Sequence, residues 1–302
     1  MNSDFFKEEV REGFYISAEM KKVWAVEMKV LSFVISVCKK YDIPYFADYG
    51  TLLGTVRHKG FIPWDDDIDI AMPRKDYTVF CEKAGELLPP YLFLQNCHTE
   101  KNFPYIFSKI RDSRTTYIEK GMAGLDINHG VYIDVFPLDG YPVELKEQRW
   151  LEKQKLKHQF VYLSCLESHL SWKSRMIVNA EKILGVPSRA AAYAKKFEKV
   201  ISAYAPEASE YWCNHGNWQG KLEYAPREQY GEGYWATFEG LRVRVPEKYD
   251  EYLTQKYGDW RADLPVEQQI GHHFAEVIDL HRPYTDYIIP CGHGRIRIKN
   301  GQ

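Results

Sequence analysis

The chain has 302 residues, 45% hydrophobic and 15% aromatic, with 40 basic against 42 acidic side chains. Such a content supplies a sizeable core and excludes extensive disorder. A net charge of −2 lacks the basic excess of a general nucleic-acid binder, so nucleic acid is not an expected partner.

The first residues, MNSDFFKEEVREGF, show neither the basic start nor the apolar run of a signal peptide. From Met20 to Tyr41, Val23, Val26, Val30, Phe33, Val34 and Val37 recur at helical spacing and predict an amphipathic helix. Its apolar stretch Val30 to Val37 is far shorter than the ~20 residues of a membrane span. A cytoplasmic location is the expectation. Six cysteines, at 38, 81, 97, 165, 213 and 291, form no C-x-x-C pair and no zinc-type spacing with histidine, and read as free thiols.

After Pro44, Tyr45 to Tyr49 predicts a short strand running into Gly50, and Thr51 is placed to cap a helix through Arg57, ending near Gly60. Next, Ile68, Ile70 and Met72 alternate with Asp67 and Asp69, the pattern of a strand with one polar edge. Asp76 to Leu88 reads as a helix stopped by Pro89-Pro90. Val131 to Phe136 is a second alternating strand, closed by Pro137. From 142 to 205 the pattern is helical and basic, with twelve Lys or Arg against six Glu, and reads as a helical insertion within one domain of 302 residues. Strand-like Leu241 to Val245 and a helix from Lys248 to Tyr257 follow. No internal repeat is evident.

The segment Trp64 to Met72 carries most of the chemistry. On an extended chain Asp65, Asp67 and Asp69 project to one face while Ile68 and Ile70 enter the core. Three carboxylates this close repel one another unless a cation sits among them. Their hard oxygens suit Mg²⁺ or Mn²⁺. An EF-hand calcium loop is excluded, because the sixth and twelfth positions from Asp65 hold Ile70 and Asp76 instead of Gly and Glu. Asp134, on the second alternating strand, could bring another carboxylate to the same cation, with Asp126 and Asp139 as nearby alternatives. Gly50 and Thr51 ahead of a helix offer backbone N–H groups to phosphate. Arg57, His58, Lys109 and Arg111 are candidates to neutralise its oxygens.

Taken together, the run from Tyr49 to Pro73, YGTLLGTVRHKGFIPWDDDIDIAMP, resembles the signature of the LicD family of phosphocholine transferases, which includes the fukutin-related glycan phosphotransferases. Lys109-Ile-Arg111, Ile133-Asp-Val-Phe-Pro-Leu-Asp139, Phe238-Glu-Gly240 and Tyr257-Gly-Asp-Trp260 agree with it. The resemblance implies an α/β (α+β) nucleotidyltransferase-like fold, a mixed sheet flanked by helices. It also implies transfer of a phosphocholine-type headgroup from a CDP-linked donor such as CDP-choline to a sugar of a cell-surface glycan, releasing CMP. Asp67, Asp69 and Asp134 become the metal-binding carboxylates, and Asp65 or Asp134 the base. Trp64, Trp235 and His272 are candidate substrate contacts. Lipid-linked acceptors are common in such a family, so the basic stretch also suggests peripheral contact with an anionic inner membrane face. Two other classes use the same features differently: a nucleotidyltransferase that releases pyrophosphate, and a non-catalytic binding protein.

Overall fold

The structure, a computed structural model, describes residues 3–166, 172–217, 220–271 and 274–299. Ser17 accepts a hydrogen bond from the Met20 backbone N–H (3.1 Å) and starts a 24-residue helix, α1, Ala18–Tyr41. The cap, and not the first apolar residue, sets this start two residues before the hydrophobic pattern begins. The helix stops where Asp42 takes a left-handed conformation and its N–H bonds to the Cys38 carbonyl. Its buried stripe includes Val23, Trp24, Met28, Leu31 and Val34, with one acid among them, Glu27.

The chain then forms only a two-residue strand, Phe46–Ala47, because helix α2, Tyr49–Arg57, begins earlier than expected. Its cap is Asp48, whose carboxylate accepts from the Tyr49 N–H, and not Thr51. The strand Asp69–Pro73 follows, then helix α3, Arg74–Leu87. Asp65 to Ile68 have no regular secondary structure, so the acidic run is a loop entering a strand.

The organising element of the sheet is the strand Val131–Tyr141, eleven residues long and buried throughout. It pairs in parallel with Asp69–Pro73, with Asp69 opposite Asp134. Antiparallel neighbours cover its two ends: Ser108–Asp112 pairs with residues 131–135, and Tyr211–Cys213 with residues 139–141. Pro137, expected to end this strand, lies between those two neighbours, where its missing N–H breaks no rung with either. With Phe46–Ala47, Leu92–Gln95 and Tyr224–Pro226 the sheet reaches seven strands of mixed direction, and α1 and α3 pack against it. The fold is therefore a mixed α/β sheet flanked by helices.

Residues 145–201 form three further helices: α4, Leu145–Cys165; α5, Trp172–Ile183; and α6, Ala190–Ile201. Leu151, Ala194, Phe197 and Ile201 from α4 and α6 join Ile106, Tyr141 and Cys213 in a second core. One cation fastens this contact. Arg74, at the start of α3, grips Asp139 through Nε and Nη2 (both 2.7 Å) and reaches Glu198 of α6 through Nη1 (3.0 Å). The rival carboxylate Asp139 is thereby committed to Arg74, and Asp126 is exposed. Among the described residues no helix is long and apolar enough to cross a membrane.

Removing Arg74 would leave Asp139, completely buried, without its counter-charge. Arg74→Ala is therefore expected to lower unfolding stability by about 3–5 kcal/mol in urea titration. Glu198→Ala, which leaves the bidentate pair intact, should cost much less. Equal losses would show that the pair does not hold the two cores together.

Candidate active site

The parallel register that sets Asp69 opposite Asp134 brings two carboxylates to one place on the sheet. The Asp134 N–H donates to the Ile68 carbonyl (2.8 Å), and the Asp69 N–H donates to Thr51 Oγ1 (2.8 Å). These bonds fix where the loop enters the sheet. Thr51 thus serves the strand and does not line the cleft. Asp67, Asp69 and Asp134 then place carboxylate oxygens within 4.8 Å of one another, and all three are buried. Asp65 is steered separately: Trp24 Nε1 donates to its carbonyl (3.0 Å), and its carboxylate lies against Gly50. A Cβ on Gly50 would meet that carboxylate and force it to shift. Asp66 accepts from the Tyr117 hydroxyl (3.2 Å) and keeps a carboxylate oxygen within 4.8 Å of those of Asp65 and Asp67.

These carboxylates line a cleft of about 820 Å³. Of the residues expected from sequence, Gly50, Arg57, Trp64, Asp65, Asp67, Asp69, Lys109 and Asp134 line it. Lys109 lies opposite Asp134 across the antiparallel ladder, with Nζ 2.9 Å from Asp134 Oδ1 and 3.8 Å from Glu119 Oε1. Arg57 sits at the cleft with its guanidinium tied to Asp263 and to the carbonyls of Trp260 and Ala262.

Besides Thr51, three expected contacts lie away from the cleft lining. Arg111 is fully buried and does not line the cleft, its guanidinium donating to Gln95 Oε1, the Gly130 carbonyl (2.7 Å) and Glu119 (3.1 Å). His58 turns its Nδ1 to Glu12 (3.0 Å) and does not line the cleft. Trp235 lies on the hairpin formed by Tyr234–Phe238 and Leu241–Val245, half exposed beside Arg242 and Arg244. His272 lies outside the described residues.

Other groups enter the site without a sequence signal that was used. Glu27 faces inward from α1, and its Oε2 has no hydrogen-bond partner among the described residues. An acid within the apolar stripe, between Trp24 and Leu31, was the readable sign. Glu119 accepts from Arg111 and from the Tyr132 hydroxyl (2.9 Å). Tyr49 opens α2 at φ 44°, a conformation that bulky residues seldom adopt. It is held by Glu223, by Asn214 Nδ2 (3.0 Å) and by the Lys256 ammonium 3.9 Å from its ring. One wall is aromatic: Tyr105, Phe107, Phe136 and Tyr162 have neighbouring centroids 4.6–5.0 Å apart.

A family described as "LicD/FKTN/FKRP, nucleotidyltransferase domain" matches residues 42–164, a span that includes both carboxylate strands and Lys109. Over 268 residues the chain is 30% identical to the lipopolysaccharide cholinephosphotransferase LicD of Haemophilus influenzae, covering 82% of this chain and 94% of that protein. The chain belongs to the LicD family. Shorter matches, 38% and 40% identical, reach uncharacterised proteins of Rickettsia prowazekii and Rickettsia typhi; each covers 24% of this chain and 34% or 25% of the relative.

As a LicD family member the chain has, among the described residues, a set of three buried carboxylates whose hard oxygens fit a divalent cation. Asp65, Asp66 and Asp67 form a second all-carboxylate group that shares Asp67, whereas a third, Cys97, His98 and Glu198, fits a cation poorly, since Glu198 already accepts from Arg74 (3.0 Å) and lies 2.6 Å from His98 Nε2. The crowding shows in the acidities. Burial raises the Asp134 carboxyl to about 6, with Lys109 opposing the rise and Asp67 and Glu119 adding to it. Burial, then Asp67, Asp134 and Asp65, holds Asp69 well above the usual carboxylate range. Burial, then Asp67, Asp66, Asp65 and Asp134, does the same to Glu27.

A carboxyl with a raised folded pKa binds more protons folded than unfolded, so stability falls as pH rises between its two values. For Asp134 this window opens near the unfolded value of about 4 and closes at about 6; Asp69 and Glu27 extend it upward. Asp69→Asn removes one of the mutually repelling charges. In chelator its melting temperature, relative to the unsubstituted protein, is expected to climb as pH rises through that window. Added Mg²⁺ should raise the unsubstituted protein more than the variant. Calorimetry showing a difference that shrinks with rising pH would contradict this electrostatic account.

Proposed function

We propose that this chain transfers a phosphocholine-type headgroup from a CDP-linked donor, CDP-choline foremost, to a hydroxyl of a cell-surface glycan precursor, and releases CMP. The observation that carries this reading is the buried Asp67, Asp69 and Asp134 group in a cleft that also has an aromatic wall. The name of the Haemophilus relative, which specifies cholinephosphotransfer and lipopolysaccharide, supports the choice of headgroup and acceptor class. A nucleotide-linked donor fits a reaction on the cytoplasmic side.

In this reading the acceptor hydroxyl attacks the phosphorus that bears the headgroup. Its proton passes to Asp65. The bond from that phosphorus to the bridging oxygen breaks, and CMP leaves with the electron pair. Asp65 is preferred to Asp134 as base because the Asp134 carboxylate is already paired with the Lys109 ammonium at 2.9 Å. Asp67, Asp69 and Asp134 would hold Mg²⁺ or Mn²⁺, which when bound neutralises diphosphate and leaving-group charge. Lys109 and Lys120, both lining the cleft, supply cations toward the donor phosphates. The quaternary ammonium rests against Tyr105, Phe107, Phe136 and Tyr162, since a cation is attracted to aromatic faces.

With CDP-choline, Mg²⁺ and a glycan acceptor, CMP and a phosphodiester-modified sugar are expected. Asp67→Asn and Asp69→Asn should each reduce turnover to background while circular dichroism shows the fold intact. Pyrophosphate released from CTP, with no CMP from any CDP-linked donor, would replace this reading with nucleotidyl transfer.

The headgroup assignment has its own test. Tyr162→Leu keeps bulk but removes the aromatic face, and should raise KM for CDP-choline by roughly tenfold. The same variant should leave KM for CDP-glycerol unchanged. A matching rise for both donors would place the ammonium elsewhere.

A further inference from the structure

Helix α5 buries a single residue, Val178. Trp172, Met176 and Ile183 are 69%, 65% and 86% exposed, and Leu184 just beyond the helix is 69% exposed. At about 100° per residue, Trp172, Met176 and Ile183 fall within an arc of roughly 40°. Arg175 and Lys182 flank that arc on one side and Lys173 on the other, all exposed. The one acid of the helix, Glu181, is half-buried on the inward side, where it hydrogen-bonds Ser164 of α4. The outer face therefore presents three cations and no anion around an apolar ridge. Single exposed apolar residues are ordinary on a soluble surface, but a ridge of three with this border is not.

We infer that α5 is an interfacial helix that docks this protein on an anionic lipid surface. An apolar stripe bordered by Lys and Arg is the arrangement by which a helix lies in the headgroup region, apolar side down. A second copy of the chain is a poor occupant, because a two-fold contact would set Lys173, Arg175 and Lys182 against themselves. The helix is also close to the cleft along the chain: Leu166 lines the cleft, and Trp172 follows six residues later. Docking through α5 would hold that cleft near acceptors carried in a bilayer. The docking itself does not depend on the transfer reaction proposed above.

Flotation of the full chain with vesicles reads this directly, without donor or turnover. At low salt the protein is expected to float with phosphatidylcholine vesicles containing about a third phosphatidylglycerol, and to stay behind with phosphatidylcholine alone. Combined Trp172→Ser, Met176→Ser and Ile183→Ser should weaken partitioning by about tenfold or more, with the melting temperature and turnover of a soluble acceptor unchanged. Combined Lys173→Glu, Arg175→Glu and Lys182→Glu should abolish the preference for anionic vesicles. Absence of flotation by the unsubstituted protein, or undiminished binding by both variants, would overturn the inference. So would a concentration-dependent dimer that the serine variant dissolves, since the ridge would then be a contact between copies.

Discussion

Like charges held together out of water are the constraint on which the rest of this structure turns. Asp67, Asp69 and Asp134 are buried with their oxygens within 4.8 Å of one another, and Glu27 and Asp65 add to the same field. A buried carboxylate without compensation is strongly unfavourable, so the groups protonate or take a counter-ion. Among the described residues Lys109 is the cation in contact with this group, through Asp134. The backbone must therefore hold the acids where their own repulsion would not. It does so with bonds that involve no carboxylate: Asp134 N–H to Ile68, Asp69 N–H to Thr51, and Trp24 to the Asp65 carbonyl.

The surrounding ion pairs follow from the same need. Arg74 neutralises Asp139 one sheet position beyond Leu138, Arg111 neutralises Glu119, and Lys256 faces Glu223 under the Tyr49 ring. Each pair is buried and hydrogen-bonded, the condition under which a charge inside a protein is tolerable. Their effect is to separate two kinds of acid. Asp139, Glu119 and Glu223 have fixed cationic partners and act as parts of the frame. Asp67, Asp69 and Asp134 instead look into the cleft, and burial among like charges raises the carboxyls of Asp69 and Asp134.

The division explains what was legible in the sequence. The alternation of Asp67 and Asp69 with Ile68 and Ile70 is a local pattern, and the faces it assigns hold even though Asp65 to Ile68 are not a strand. The mixed sheet flanked by helices was legible only through the family resemblance, because strand order and direction are not written in any one segment. Lys109 and Arg111 look equivalent in sequence, two residues apart on one strand. They diverge because their register partners differ: Lys109 opposes Asp134, whereas Arg111 opposes Tyr132 and meets Gln95 and Gly130. That distinction is made by the pairing of strands distant in sequence, which a pattern in one segment does not contain. Trp235 was chosen by residue type alone, and a hairpin carries it elsewhere. The cap at Asp48 displaced Thr51 because the helix start depends on the left-handed Tyr49, which Glu223 and Asn214 hold from far along the chain.

Lys109 links the empty and loaded conditions of such a cleft. Its ammonium lies between Asp134 and Glu119, and its ion pair with Asp134 opposes the rise that burial imposes on that carboxyl. Because Asp134, Asp69 and Glu27 all hold protons more firmly than free carboxylates, a divalent cation bound to this group would release protons, and its binding would be pH-dependent. Once the oxygens of Asp134 are shared with a cation, Lys109 keeps Glu119 as its other partner and its charge is less fully matched. An anionic phosphate entering the cleft then meets an ammonium that was neutralised before. The register that opposes Lys109 to Asp134 would thus couple occupation of the carboxylates by a cation to the cleft's affinity for an anion.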